Sequence, residues 1–206
     1  MTNVIKSHIY GKNPHDIYTV YYRLGENPHS AILTVPTLDD LSKALGDDFI
    51  PQNELKQTLS DFEAETHVQF SEEAKLNFAK EQVKKAITVY DATEGAGCVN
   101  NFYFEYGGRK FPYWFNAYER TALTSEATQW AKKYGTYRID ARKYGVSFEI
   151  SCDTLLDWLG RLKDYAIKCY NKTTDHLLAV GGLTTVEDVA AYDYKTGYPN
   201  NLIFGV

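Results

Sequence analysis

Phe102-Tyr103-Phe104-Glu105-Tyr106, then Gly107-Gly108, then Arg109-Lys110-Phe111-Pro112-Tyr113 is the stretch on which the fold turns. Two aromatic-rich runs separated by two glycines have the form of a β-hairpin with a two-residue loop, since such loops favour residues that tolerate positive φ. Pairing across the loop sets Phe104 opposite Phe111, Phe102 opposite Tyr113 and Glu105 opposite Lys110, which predicts an apolar face and a cross-strand ion pair. Pro112 falls opposite Tyr103 with its missing N–H turned away from the partner, so its strand is expected at a sheet edge.

The pattern continues beyond the hairpin. Asn116 with Glu119 predicts a capping-box start for a helix that runs to about Tyr134 and stops at Gly135. Tyr137, Ile139 and Ala141 alternate inward, Arg142 to Gly145 turn, and Val146, Phe148 and Ile150 alternate back as a second hairpin. A long helix is expected from near Ser151 to Gly181-Gly182, with Leu155, Leu159, Leu162, Ala166, Cys169, Thr173, Leu177 and Val180 on one stripe. Thr185 with Asp188 caps a last short helix, and Thr196-Gly197-Tyr198-Pro199 reads as a turn that returns Leu202-Ile203-Phe204 to the domain. Hairpin, helix, hairpin, helix predicts an α+β domain over residues 90–206, its helices packed on one face of an antiparallel sheet.

The N-terminal part reads differently. Val4 to Tyr10, Ile17 to Leu24 and Ala31 to Val35, separated by Gly11-Lys12-Asn13-Pro14 and Gly25-Glu26-Asn27-Pro28, predict a small antiparallel β meander. Thr37 then caps a short helix that Gly46 ends. Residues 1–50 are therefore expected to form a β-rich docking domain. From Pro51 to Phe70 the pattern weakens to a linker, although Leu55, Leu59 and Phe62 would share one helical face. Ser71 opens a connecting helix whose Leu76, Ala79, Val83, Ala86 and Tyr90 are spaced 3, 4, 3, 4, so residues 51–89 read as linker and connecting helix. Two heptads fit either a helix packed on its own domain or an oligomer stalk.

Composition narrows the function classes. The 206 residues suffice for a core without metal or disulfide staples. A net charge of -5 and no dense Lys/Arg run argue against nucleic acid as a partner. No apolar run approaches the ~20 residues that span a bilayer, and the start lacks a signal-peptide pattern, so a soluble protein made in a cytoplasm is expected, with no membrane partner. Cys98, Cys152 and Cys169 do not make a disulfide framework. On one continuous helix Cys152 and Cys169 would stand ~25 Å apart at ~1.5 Å per residue.

Candidates for chemistry are few. Cys152 at a helix start could have a lowered thiol pKa, but a small residue buried at a helix start is the commoner case. His8, His15, His29, His67 and His176 lack the spacing of metal ligands. Glu94-Gly95-Ala96-Gly97 and Gly181-Gly182 lack the strand-to-helix setting of a phosphate loop. The expectation is a non-enzymatic chain with no catalytic residue, cofactor or metal. Seventeen Tyr and three Trp point instead to surfaces. The expected interface residues are Leu76, Val83, Tyr103, Tyr113, Trp114 and Tyr198, and the aromatics of Tyr113-Trp114-Phe115 and Tyr192 to Tyr198 could either stack on sugar rings or fill core and edge.

The closing string Ala191-Tyr192-Asp193-Tyr194-Lys195-Thr196-Gly197-Tyr198-Pro199-Asn200-Asn201-Leu202-Ile203-Phe204 is similar to the end signature of a bacterial and prophage domain family of unknown function, encoded near phage tail genes in gut Bacteroidetes. Further pieces agree in order: Tyr90-Asp91, Val99-Asn100 with Phe102, Trp114-Phe115 before Arg120, Cys152-Asp153, Cys169-Tyr170-Asn171 with Thr173 and His176, and Leu183 to Asp188. The resemblance covers about residues 89–206, with a longer loop at Thr93 to Cys98 and a more aromatic hairpin. It implies a phage protein made with structural genes. The resulting expectation is a self-associating virion component of the tail, adaptor or fibre region, bound to other phage structural proteins. A tail-fibre assembly chaperone left out of the particle is the alternative, and a module binding a host surface glycan is a third.

Overall fold

The computed structural model describes residues 18–24, 27–33, 37–66, 68–92 and 101–206. The protein is α+β. The expected strand Val4 to Tyr10, the loop Thr93 to Cys98 and Cys98 itself lie outside the described residues.

The chain divides into two compact units: Met1–Thr88 with His176–Tyr194, and Val89–Asp175 with Lys195–Val206. The division between Thr88 and Val89 lies one residue from the boundary expected at residue 89. Residue 50 is not a boundary, and His176–Tyr194 groups with the N-terminal part instead of the C-terminal domain.

In the first unit, β1 (Tyr18–Leu24) and β2 (Asn27–Leu33) pair antiparallel from Tyr18↔Leu33 to Leu24↔Asn27. Helix α1 (Leu38–Leu45) packs on β2, burying Leu38, Leu41 and Leu45, and Gly46 ends it at a φ of 59° that favours glycine. The segment read as a linker is instead a 3-10 turn, Gln52–Glu54, running into α2 (Leu55–Thr66). Leu55, Leu59 and Phe62 are its buried stripe. Helix α3 (Glu72–Ala92) starts at Ser71, whose Oγ accepts from the Ala74 N–H at 3.1 Å. It buries Phe78, Ala79, Gln82, Val83, Ala86 and Ile87, a wider stripe than the expected seam. Buried Gln82 is satisfied on both sides of its amide: Oε1 accepts from the Ile50 N–H at 3.0 Å and Nε2 donates to Ser42 Oγ at 3.3 Å.

The reason His176–Tyr194 joins this unit is local. Helix α6 (Val186–Ala191) packs on α2 and on the 3-10 turn, with Val186 and Val189 buried. Gln52 Nε2 donates to the carbonyls of Val189 and Tyr192 at 2.8 and 2.7 Å, satisfying the end of α6. Thr185 caps the other end, accepting from the Asp188 N–H at 3.1 Å.

In the second unit, β3 (Asn101–Tyr106) and β4 (Arg109–Trp114) form the expected hairpin in the expected register, with Gly107 and Gly108 at φ 56° and 74°. Glu105 and Lys110 stand opposite each other, yet no ion pair closes between them among the described residues. Strand β7 (Leu202–Gly205) pairs with β3 in parallel, giving the order β4-β3-β7 and leaving β4, with Pro112, at an edge. Helix α4 (Ala117–Lys133) has the full capping box at Asn116 and Glu119. Strands β5 (Thr136–Ala141) and β6 (Val146–Ser151) pair as expected but form a sheet of their own. The expected single sheet is thus two small ones.

Helix α5 (Cys152–Gly182) begins at Ser151, whose Oγ accepts from the Thr154 N–H at 2.9 Å. Its Leu155, Trp158, Leu159 and Leu162 join Phe102, Phe104 and Phe204 of the three-stranded sheet and Ile139, Phe148 and Ile150 of the hairpin in one core. Trp158 stacks on Phe204 at 4.8 Å between ring centroids and tilts against Phe104 at 5.4 Å. Cys152 and Cys169 are free and buried.

Candidate functional site

Helix α4 is the one long helix of the second unit that puts little into the core. Of its residues only Ala127 is buried, with Leu123 packed partly against the core. Its start is held by hydrogen bonds instead: the Glu119 N–H donates to Asn116 Oδ1 at 2.9 Å and the Asn116 N–H donates to Glu119 Oε2 at 2.8 Å.

Along one side of α4, facing residues of α5, runs a groove of ≈ 680 Å³. Arg120, Thr121, Thr124 and Thr128 of α4 line it with Leu159 and Lys163 of α5. The three threonine hydroxyls donate back to the carbonyls one turn earlier: Thr121 to Ala117 at 2.9 Å, Thr124 to Arg120 at 2.7 Å and Thr128 to Thr124 at 2.7 Å. Their protons are used within the helix, while Ser125 and Gln129 of the same lining carry donors of their own. Arg120 Nη1 donates to the Phe115 carbonyl at 2.7 Å, and burial pulls the guanidinium below its ordinary pKa range.

Around the C-terminal end of α4 lies an exposed aromatic shelf. Trp130 and Tyr134 sit 4.9 Å apart, and Trp130 meets Tyr137 of β5 edge-on at 5.7 Å. Lys133 Nζ lies 4.8 Å from the Tyr134 ring centre. Trp130 and Tyr134 are 45% and 55% exposed, and Tyr118 near the helix start is 82% exposed. The Tyr137 hydroxyl donates to Glu126 Oε2 at 2.8 Å; burial first, and then Glu126, push this phenol up to about 12.

The residues expected at an interface are not gathered here. Leu76 and Val83 belong to the first unit, and Val83 is buried within the chain. Tyr103 is partly buried on the central strand β3, opposite Pro112 and Ile203. Tyr113 is enclosed by Phe102, Phe104 and Phe115 at 5.2–5.9 Å. The Trp114 side chain lies outside the described residues, while its backbone pairs with Asn101.

Tyr198 is also engaged in packing. Its ring meets Tyr90 edge-on at 5.6 Å and its hydroxyl lies 3.0 Å from Thr173 Oγ1. Thr173 donates in turn to Asp91 Oδ1 at 2.7 Å, which leaves Tyr198 as donor to Thr173. Burial raises the Asp91 carboxyl above its usual range, and the Thr173 hydrogen bond partly opposes it. In the first unit, His176 is buried with Nδ1 2.7 Å from the Tyr192 hydroxyl. The tyrosines of the closing string are thus held in internal contacts.

Trp130, Tyr134 and Tyr118 were missed in the sequence. The available signal was an i, i+4 aromatic pair, Trp130 and Tyr134, at the end of a helix otherwise rich in Thr, Glu and Lys.

Among the described residues no group of three or more His, Cys, Asp or Glu could hold a metal ion. No helix among them is long and apolar enough to cross a membrane. In comparisons with known proteins the chain matches no family model, no curated protein and no solved structure.

Proposed function

We propose that this protein is a non-enzymatic structural component of a bacteriophage particle, in the tail, adaptor or fibre region, that docks onto other phage structural proteins and onto copies of itself. The observation that carries this reading is α4. It buries only Ala127 and leaves Tyr118, Trp130 and Tyr134 open. Helices gain most of their stability from packing an apolar face, so a helix this sparsely buried is suited to completion by a partner. Tyr and Trp are also the residues that most often anchor protein interfaces.

The similarity of residues 89–206 to a domain family encoded beside phage tail genes supplies the setting. Residues that carry the similarity, among them Thr173, His176, Tyr192 and Tyr198, make internal hydrogen bonds here. This use supports a scaffold over a reacting centre. The test is quantitative mass spectrometry of purified particles against their major capsid or tail protein. Presence at a fixed ratio is expected. A monomeric chain missing from particles would overturn the proposal, and recovery only in infected-cell lysate, bound to fibre protein, would assign an assembly chaperone instead.

A further inference from the structure

We infer that the free edge of β7 pairs antiparallel with β7 of a second copy of this chain, Ile203 of each copy opposite Gly205 of the other, across a two-fold axis at Phe204. This deepens the docking reading above by naming the surface through which copies meet, and rests on it for self-association.

Backbone geometry is the first support. Among the described residues β7 pairs with no strand except β3, so it forms one edge of the β4-β3-β7 sheet. The Val206 N–H donates to the Glu105 carbonyl at 3.0 Å, while Gly205 is the residue aligned with Glu105. In a parallel ladder alternate residues turn both backbone groups toward the same neighbour. Leu202 and Phe204 therefore bond toward β3 as Val206 does, and Ile203 and Gly205 turn their N–H and C=O groups outward. Gly205 is exposed, with nothing within 4 Å of the place a Cβ would take, and Ile203 on the same face is 44% exposed. Such an edge is a template for another strand.

The residues of the edge select its occupant. Asn201 to Val206 carry no charge and include no proline. The opposite edge of the same sheet, β4, carries Arg109, Lys110 and Pro112, while β5 has Arg138 and Asp140 and β6 has Glu149. Charged side chains and proline keep an edge from pairing, and like charges that meet across a two-fold axis repel. On a chain of net charge -5, β7 is thus the edge of this unit where two copies approach with least repulsion.

The register is self-complementary. Opposed residues of an antiparallel pair exchange both hydrogen bonds only when each turns both backbone groups to the other strand. Ile203 and Gly205 both do so and stand two positions apart. Ile203 opposite the partner's Gly205, and Gly205 opposite the partner's Ile203, satisfies all the outward groups of these residues at once. Phe204 meets its own copy between them, its ring still stacked on Trp158 in the core. Each Ile203 side chain then lies beside a glycine that has none of its own. A partner of other sequence would need an uncharged edge of matching register, which an identical copy supplies by symmetry. The pairing joins two three-stranded sheets into one.

The experiment is sedimentation equilibrium of the full chain, with amide hydrogen exchange read by NMR at the same concentrations. Four residues on each side make a small contact, so dimers are expected from about 100 µM upward. Over that rise the Ile203 and Gly205 amides should gain at least about tenfold protection from exchange. Gly205→Pro removes an outward N–H that β3 does not use, and Ile203→Lys places a charge beside the axis on an exposed side chain. Each should weaken dimerisation at least about tenfold and leave the melting curve unchanged. A chain still monomeric at about 1 mM would overturn the inference. So would a dimer that leaves the two amides unprotected or survives both substitutions, or amides already protected in the monomer, which would mean the chain covers this edge itself. A chain found in particles that never forms this dimer would remove the β7 contact alone; a β7 dimer of a chain missing from particles would remove the phage setting alone.

Discussion

Helix α4 and the part of α5 before His176 both belong to the second unit and use their residues in opposite ways. On α5, Leu155, Trp158, Leu159 and Leu162 enter the core, and Tyr165 and Cys169 form a second buried cluster with Tyr90, Tyr198 and Leu202 packed on it. On α4, one alanine is buried and the large aromatics face outward. Burial of a large apolar side chain contributes about 1.5–3 kcal/mol, so α5 holds the unit together while α4 adds little to its stability. What α4 retains is surface: an aromatic shelf at one end and one wall of a groove of mixed apolar and polar lining along its side. In this pair, most of the residues that fix the fold are on α5 and the large exposed aromatics are at α4, while Leu159 and Lys163 of α5 share the groove beside α4.

The contrast can be broken most severely at Trp158. Trp158→Ala should destabilise the protein by about 3–5 kcal/mol in urea unfolding, because it removes a buried ring stacked on Phe204 and tilted on Phe104. A loss below about 1 kcal/mol would mean that α5 is not the keystone. Next comes the α4 cap. Asn116→Ala should cost about 1 kcal/mol and lower helicity by circular dichroism, since this end of α4 depends on its capping box more than on burial.

A smaller effect is expected at Asp91, which tests the polar network on α5. The folded chain holds the Asp91 carboxyl above its ordinary pKa range, so it keeps a proton that the unfolded chain has released. Stability contributed by this group therefore falls as pH rises from the unfolded carboxylate range, about 3.9, through the raised folded value. Asp91→Asn keeps an acceptor for Thr173 and removes that dependence. The variant should gain on the wild type in melting temperature as pH rises through this window, and a constant difference would contradict the assignment. The smallest stability change is expected at Trp130: Trp130→Ala should stay within about 0.5 kcal/mol of wild type. A loss as large as that at Trp158 would erase the distinction between the helices.

Local rules were legible in the sequence. The Gly107-Gly108 loop fixed the register of Phe102, Phe104, Phe111 and Tyr113, and the caps at Ser71, Asn116 and Thr185 placed three helix starts. Each depends on residues within a few positions of one another. Long-range pairing was less legible. Leu202-Ile203-Phe204 was expected to fold back, but its parallel pairing with β3 joins residues about a hundred positions apart. The separation of β5 and β6 into their own sheet is likewise a tertiary outcome.

Helix α2 was read as a linker because Lys56, Gln57, Ser60 and Asp61 dilute the apolar signal of Leu55, Leu59 and Phe62. On a helix that pattern is an ordinary amphipathic stripe. The closing bend falls at Tyr194–Gly197, two residues earlier than expected, with Gly197 at φ 79°. The groove was not legible at all, since it exists only where Arg120 and the threonines of α4 come beside Leu159 and Lys163 of α5. Of the expected interface residues, Tyr113 packs on Phe102, its partner across the hairpin, and Tyr198 on Tyr90, a neighbour distant in sequence.

The central claim is that α4 meets the partner while α5 holds the fold. Its most direct test is to produce particles in the presence of wild-type chain or of a Trp130→Ala, Tyr134→Ala double variant, and to measure incorporation by quantitative mass spectrometry. The prediction is a variant that melts like the wild type but is depleted from particles at least about tenfold, as loss of two interface anchors would cause. Equal incorporation of the two folded chains would contradict it.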